Sequence, residues 1–168
     1  MGLAKFISVG LLSGIVVFCS WQAAYAAVGQ GVEAFQRGKY EEALKHLEPA
    51  AKAGDAEALY VLGQMYGSGR GVKKDEKKAA EFFMKAADLG NPGAQQSLGS
   101  ALMLGEGIEQ DMVAALKWFI LSARAGNKEA ANYASKVGRF LTRDMQREAR
   151  KMAIDWKKAH DEKFPPNN

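Results

Sequence analysis

Two glycine-rich stretches contain the residues of this chain that most resemble a chemical motif. The first reads GSGRGVKKDEKKAAEFF over residues 67–83. Glycine-rich loops that lead into a helix often bind phosphate, because their backbone N–H groups point toward the anion. A phosphate loop follows a buried strand, whereas the preceding residues, AEALYVLGQMY, have a helical pattern. The sequence therefore favours turns between helices over a nucleotide site.

Two aspartates, Asp75 and Asp111, could be interpreted as paired carboxylates for acid–base chemistry. Each of them stands just before a run of apolar residues with helical spacing. An aspartate at that place is expected to cap the helix by accepting a backbone N–H. The capping role accounts for both residues, and we expect no catalytic residues here.

The histidines and the cysteine offer little further chemistry. His46 falls on the repeat position that Phe82 and Trp118 occupy, which predicts a packing residue. His160 is placed at a frayed C-terminal end, and the one cysteine, Cys19, lies in the N-terminal segment. A zinc site needs about four His, Cys or carboxylate ligands in a suitable pattern, and none is evident. We expect no metal and no cofactor.

The second glycine-rich stretch lies 36 residues after the first and belongs to an internal repeat. A shift of the sequence by 36 residues aligns it with itself without a gap, which is typical of repeat architectures. The matched pairs include Gly63 and Gly99, Gly69 and Gly105, Gly71 and Gly107, Asp75 and Asp111, Phe83 and Phe119, and Gly90 and Gly126.

Each repeat is predicted to be a helical hairpin. Apolar residues after Asp75 recur at i, i+3, i+4, i+7 and i+8, which is one face of a helix. Gly90 then supplies a stop, and Pro92 prevents the helix from continuing. Such hairpins bury their apolar faces only when several are stacked. We predict a repeat domain over residues 27–160, built from hairpins at 28–54, 55–90, 91–126 and 127–160, with a tail at 161–168.

The N-terminal segment has the three-part layout of a secretory signal. A positive charge at Lys5 precedes an apolar run of thirteen residues, and small residues follow at Ala24 and Ala26. The run is shorter than the about 20 residues of a membrane span, although an uncleaved anchor is the alternative. Val17 and Phe18 before Cys19 argue against a lipoprotein. We predict a signal peptide over residues 1–26 and a periplasmic or secreted protein.

The loop and its surroundings carry a family resemblance. The pattern L-G-x-x-Y-x-x-G-x-G-V-x-x-D, from Leu62 to Asp75, resembles the Sel1-like repeat, a relative of the tetratricopeptide repeat. The second copy departs from it with Leu102 for the tyrosine and Ile108 for the valine. The resemblance covers residues 28–160. It implies an all-α solenoid of about four stacked hairpins in a right-handed superhelix, acting as a scaffold that binds a protein or peptide in a concave groove.

The resemblance also places the groove on the first helix of each hairpin. The implied binding residues are polar, rich in amides and lightly charged, which suits an extended peptide held through its backbone. A hydrolase-like enzyme or a cell-wall glycan binder using the same groove is the alternative. The residues are Glu57, Tyr60, Gln64, Gln96, Ser100, Met103, Glu129, Asn132 and Lys136.

A row of basic residues is the second candidate surface. The formal net charge is only +4, which does not indicate nucleic acid as a partner. If the last two helical segments are continuous, four basic residues form a ridge that could meet an acidic protein or anionic lipid headgroups at a membrane surface. The residues are Arg139, Arg143, Arg147 and Lys151.

The N-terminal pattern gives a first prediction. Mass spectrometry of the protein from its native host should show a mature chain that begins at Ala27, since signal peptidase cuts after small residues. Recovery of the intact chain from a membrane pellet would contradict cleavage and favour the anchor.

Overall fold

The computed structural model describes residues 26–165, and within that range the chain is helical, with no strand. The signal-peptide prediction and the end of the predicted tail concern residues outside this range. The first helix, α1, covers the described residues 26–36. It is followed by α2 (Tyr40–Lys52), α3 (Ala56–Ser68), α4 (Glu76–Asp88), α5 (Pro92–Leu104), α6 (Met112–Arg124), α7 (Lys128–Gly138) and α8 (Arg143–Lys163).

Short polar side chains begin most of these helices. Each accepts a hydrogen bond from a backbone N–H of the first turn that has no partner inside the helix. The predicted caps at Asp75, Asp111 and Thr142 are confirmed. The same role is filled by Asp55, Asn91 and Asn127.

The helices pack as successive hairpins. α3 pairs with α4 and α5 with α6, while contacts of α4 with α5 and of α6 with α7 join one hairpin to the next. Within a hairpin the helices approach closely at a glycine. A Cβ atom on Gly63 would lie 2.6 Å from the ring of Phe83, and one on Gly99 would lie 2.9 Å from that of Phe119. The predicted all-α solenoid is confirmed.

The glycine-rich loops join neighbouring repeats. Gly71 and Gly107 both have positive φ, at 72° and 70°. A Cβ atom on Gly71 would overlap Tyr40, the first residue of α2, and one on Gly107 would overlap the backbone of Glu76, the first residue of α4. Tyr40 and Glu76 are themselves 36 residues apart. Each loop therefore packs against the start of the preceding repeat's second helix, which explains the glycines without a phosphate.

The C-terminal helix does not pack as the predicted fourth hairpin requires. Residues 127–160 do not form a fourth hairpin, because α8 packs against α6 and makes no extended contact with α7. The buried Ala149 and Ala153, one turn apart, allow this close approach. The edge of Trp156 meets Trp118 of α6 at 5.7 Å between ring centroids.

His160 is not at a frayed end. Its ring stacks on Trp156 at 4.6 Å and lies 5.0 Å from Phe164, and its side chain is only 19% exposed. This aromatic stack extends α8 three residues beyond the predicted boundary at 160. A Cβ atom on Gly90 would lie 2.9 Å from His160 Nε2, so the end of α8 reaches the turn between α4 and α5.

The loop contact gives a second prediction. Gly107→Ala should lower the free energy of unfolding by about 2–3 kcal/mol, because it combines a positive φ with a backbone clash. Gly126→Ala is the matched control. Gly126 also has positive φ, 96°, but nothing lies within 4 Å of an added Cβ, so its cost should be about 1 kcal/mol. Denaturant unfolding measures both variants, and equal costs would contradict the repeat-joining role of Gly107.

Candidate interaction surfaces

Hydrogen bonds between repeats align several of the predicted groove residues. Asn91, which caps α5, donates to Glu57 of α3 at 2.8 Å. Gln96 of α5 donates to Glu129 of α7 at 3.1 Å and accepts from Asn127 at 2.7 Å. Glu57, Gln96 and Glu129 therefore lie along one surface of α3, α5 and α7, which we call the first-helix face.

The other predicted residues differ in their placement. Gln64 donates to the Tyr60 hydroxyl at 2.9 Å, so these two residues also belong to the first-helix face. Asn132 and Lys136 are exposed on α7, and no side-chain hydrogen bond links them to the residues on α3 and α5. Met103 is half-buried and packs against the core. The binding roles of the nine residues stay predictions.

Tyr60, one of the implied groove residues, is less exposed than a side chain that binds a partner in an open groove would be. Its side chain is half-buried. It contacts the two clusters of buried apolar residues that form the core of the domain. Its ring lies 6.1 Å from that of Phe83, and a Cβ atom on Gly93 of the next repeat would come within 2.7 Å of it. Burial raises the pKa of the Tyr60 hydroxyl. Tyr60 joins two repeats.

A polar pocket of about 260 Å³ opens beside α5. Two predicted groove residues, Gln96 and Ser100, line it together with Ser97. Charged groups come from the loops and from the start of α4, and the Lys74 ammonium lies 2.7 Å from the Glu76 carboxylate. That hydrogen bond raises the pKa of the Lys74 ammonium. The remaining lining residues are Gly67, Ala79, Ala80, Phe83, Ala101 and Glu106.

A second concavity, of about 690 Å³, lies between α2 and α4. Both helices pack on α3 but make no extended contact with each other, which leaves α3 as the floor. Apolar side chains from α3 and α4 cover the base, and four lysines stand around it. We call it the α2–α4 groove. Its lining is Glu48, Ala51, Lys52, Gly54, Leu59, Leu62, Tyr66, Lys78, Phe82, Lys85, Asp88, Leu89 and Lys163.

One wall of the α2–α4 groove is fixed by an aromatic pair. The rings of Tyr66 and Phe82 stack with centroids 5.6 Å apart. The Lys78 ammonium donates to the Tyr66 hydroxyl at 2.8 Å and lies 4.0 Å from its ring centroid. The hydrogen bond raises the pKa of the Lys78 ammonium. The wall therefore presents an aromatic surface beside a fixed positive charge.

The predicted basic ridge is interrupted. α7 ends at Gly138 and α8 begins at Arg143, so Arg139 is not in line with the other three residues. Arg143, Arg147 and Lys151 remain exposed along one side of α8, and Arg147 pairs with Asp144. Arg139 instead lines a separate concavity between α6, α7 and α8. The continuous four-residue ridge required one unbroken helix, and that condition is not met.

Over residues 26–165, no three His, Cys, Asp or Glu residues come together as a possible metal site. None of the helices described there combines the length and apolarity needed to cross a bilayer. His46, the other histidine of interest, is half-buried, and its Cβ packs near Gly31 as expected of a packing residue.

The placement of Tyr60 gives a third prediction. Tyr60→Ala should lower the free energy of unfolding by about 2–3 kcal/mol, because it removes a ring that packs between two repeats. Gln64→Ala, which removes only a partly exposed hydrogen bond to the same tyrosine, should cost about 1 kcal/mol or less. Thermal and denaturant unfolding followed by circular dichroism test the pair. An unchanged unfolding midpoint for Tyr60→Ala would show that the ring does not join the repeats and is free to contact a partner.

Comparison with solved structures gives the same fold. A protective antigen of uropathogenic Escherichia coli with an SLR fold matches at a TM-score of 0.75 and 28% identity, covering 86% of this chain and 33% of that one. A Sel1 repeat protein from Oxalobacter formigenes matches at 0.59 and 33% identity, over 62% of this chain and 41% of that one. This chain therefore spans less than half the length of both.

A third structure, cysteine-rich protein B of Helicobacter pylori, matches at a TM-score of 0.55 and 23% identity, over 67% of this chain and 95% of that one. It supports the fold alone. A search of curated protein sequences gave no match. The family model of the Sel1 repeat matches residues 22–55, 56–91 and 92–127, within one residue of the two full repeats that the 36-residue period predicts. The chain belongs to the Sel1 repeat family.

Proposed function

We propose that this protein is an exported interaction module that binds a protein or peptide partner along the first-helix face. The observation that carries the proposal is the polar pocket beside α5. There Gln96, Ser97 and Ser100 bring amide and hydroxyl groups to one opening, where Lys74 and Glu76 add charges of both signs. Sel1 repeats commonly mediate protein–protein interactions, which supports the class of function.

The chemistry of the pocket suits a peptide. Amides and hydroxyls both donate and accept hydrogen bonds, so they can pair with the N–H and C=O groups of an extended backbone. Charges of both signs line the pocket, with Lys74 beside Glu76 and Glu106, so the excess of negative charge is only one. A side chain of moderate size, polar or charged, fits a volume of about 260 Å³.

The hydrogen bonds between repeats prepare this surface. Gln96 is held from two sides, by Glu129 and by Asn127, so its amide does not have to be ordered when a partner binds. A surface that is already ordered loses less side-chain entropy on association. The same bonds keep α3, α5 and α7 in register, which suits a ligand that spans more than one repeat.

Export sets the pool of partners. The signal-like N-terminus favours the periplasm or the extracellular space, where the chain would meet envelope or surface proteins. The mature chain, without Cys19, would contain no thiol that could be oxidised there.

A pair of charge insertions tests the proposal. Ser100→Arg should fill the polar pocket and block the partner, whereas Glu81→Arg adds an arginine to α4 outside every concavity described above. Both variants and the wild type are used as bait in envelope extracts of the native host, and bound proteins are identified by mass spectrometry. We expect the same partner with wild type and Glu81→Arg, and at least about ten-fold less of it with Ser100→Arg.

Equal recovery of the partner by both variants would place the interaction elsewhere on the domain. Failure of wild type to enrich any protein, with its helical circular dichroism intact, would contradict the proposed function itself.

A further inference from the structure

Two equivalent positions in successive repeats differ in whether another helix covers them. Trp118 of α6 is 6% exposed, because Trp156 of α8 packs on it. The residue 36 positions earlier is Phe82 of α4, which is half-buried and lines the open α2–α4 groove. The chain therefore covers this position with a helix in one repeat and leaves it open in the repeat before.

The covered position shows what kind of element fits. α8 brings small buried residues, Ala149 and Ala153, against α6, and then an aromatic side chain, Trp156, against Trp118. An α-helix with one apolar stripe is therefore compatible with the surface that the second helices present. The base of the α2–α4 groove is apolar as well, with Leu59, Leu62 and Phe82.

The charges around the groove select the partner. Lys52, Lys78, Lys85 and Lys163 stand against two carboxylates, Glu48 and Asp88, which leaves an excess of two positive charges. A basic or neutral helix would leave these lysines without a counter-charge, whereas acidic residues flanking an apolar stripe would pair with them. Complementary charge also raises the rate of encounter at low salt.

We propose that the α2–α4 groove binds an acidic amphipathic helix of a partner protein, with one large apolar side chain placed against Phe82. This site uses Leu59, Leu62 and Tyr66 of α3, a different stripe from the one that carries Tyr60 and Gln64 on the first-helix face. It is therefore a second docking surface and does not depend on the first.

A second copy of this chain is a poor occupant. Its own amphipathic helix, α8, carries seven Lys and Arg residues against five Asp and Glu residues. Such a helix would add positive charge to a groove that already has an excess of it. Ala149, Ala153 and Trp156 of α8 are also already packed within the domain, which leaves Ile154 as its exposed large apolar residue.

A displayed library of random peptides, about 16 residues long, tests the proposal on the purified chain. Selection on wild type should enrich peptides that have apolar residues at i, i+3 and i+4 and a negative net charge. Binding of the selected peptides should fall at least about ten-fold with Lys85→Glu, which reverses a charge at the groove. Lys77→Glu, on the same helix but outside the groove lining, should bind as wild type does, and so should Ser100→Arg.

Several results would overturn the proposal. These are selection of neutral or basic peptides, absence of any enrichment, and equal binding to Lys85→Glu and Lys77→Glu. Loss of binding in Ser100→Arg alone would assign the selected peptides to the first-helix face. Self-association in light scattering that disappears with Lys85→Glu would identify a second copy as the occupant.

Discussion

Close backbone contact between neighbouring repeats is the constraint on which the rest of the domain depends. The loop after each first helix can reach the start of the preceding second helix only because Gly71 and Gly107 carry no side chain there. The contacted residues, Tyr40 and Glu76, keep the same 36-residue interval as the glycines. This contact fixes the distance from one hairpin to the next. The glycines that suggest a phosphate loop in the sequence are therefore structural.

The fixed spacing determines both candidate surfaces. On one side of α3 and α5, it brings the loop residue Lys74 and the first residue of α4, Glu76, beside the amide and hydroxyl groups of α5. On the other side, it holds α2 and α4 on α3 but leaves a gap between them. α8 covers the corresponding surface on α6, which removes an apolar surface that would otherwise be exposed there. One repeating contact thus produces two surfaces of different chemistry.

Local patterns, above all those that recur with the repeat, could be predicted from the sequence, whereas contacts between distant elements could not. The caps at Asp75 and Asp111 and the hairpin order follow from local patterns that appear twice, so each copy supports the other. The partial burial of Tyr60 could not be predicted, because it depends on a contact with Gly93 in the next repeat that helical periodicity alone does not reveal. The path of α8 was missed because the pattern of one helix does not indicate which neighbour it packs against. The α2–α4 groove exists because no other helix covers α3 between α2 and α4, and the pattern of a single helix does not indicate this either.

Native-state hydrogen exchange of the unmodified chain is the most direct test of the coupling between repeats. If the loop contacts join the hairpins into one unit, the slowest amides of α3, α4, α5 and α6 should exchange through a common opening with one free energy and one dependence on denaturant. Exchange of the α3–α4 amides through a separate opening, at a much lower free energy than that of the α5–α6 amides, would show that the hairpins open independently. The contacts at Gly71 and Gly107 would then not be what fixes the stack.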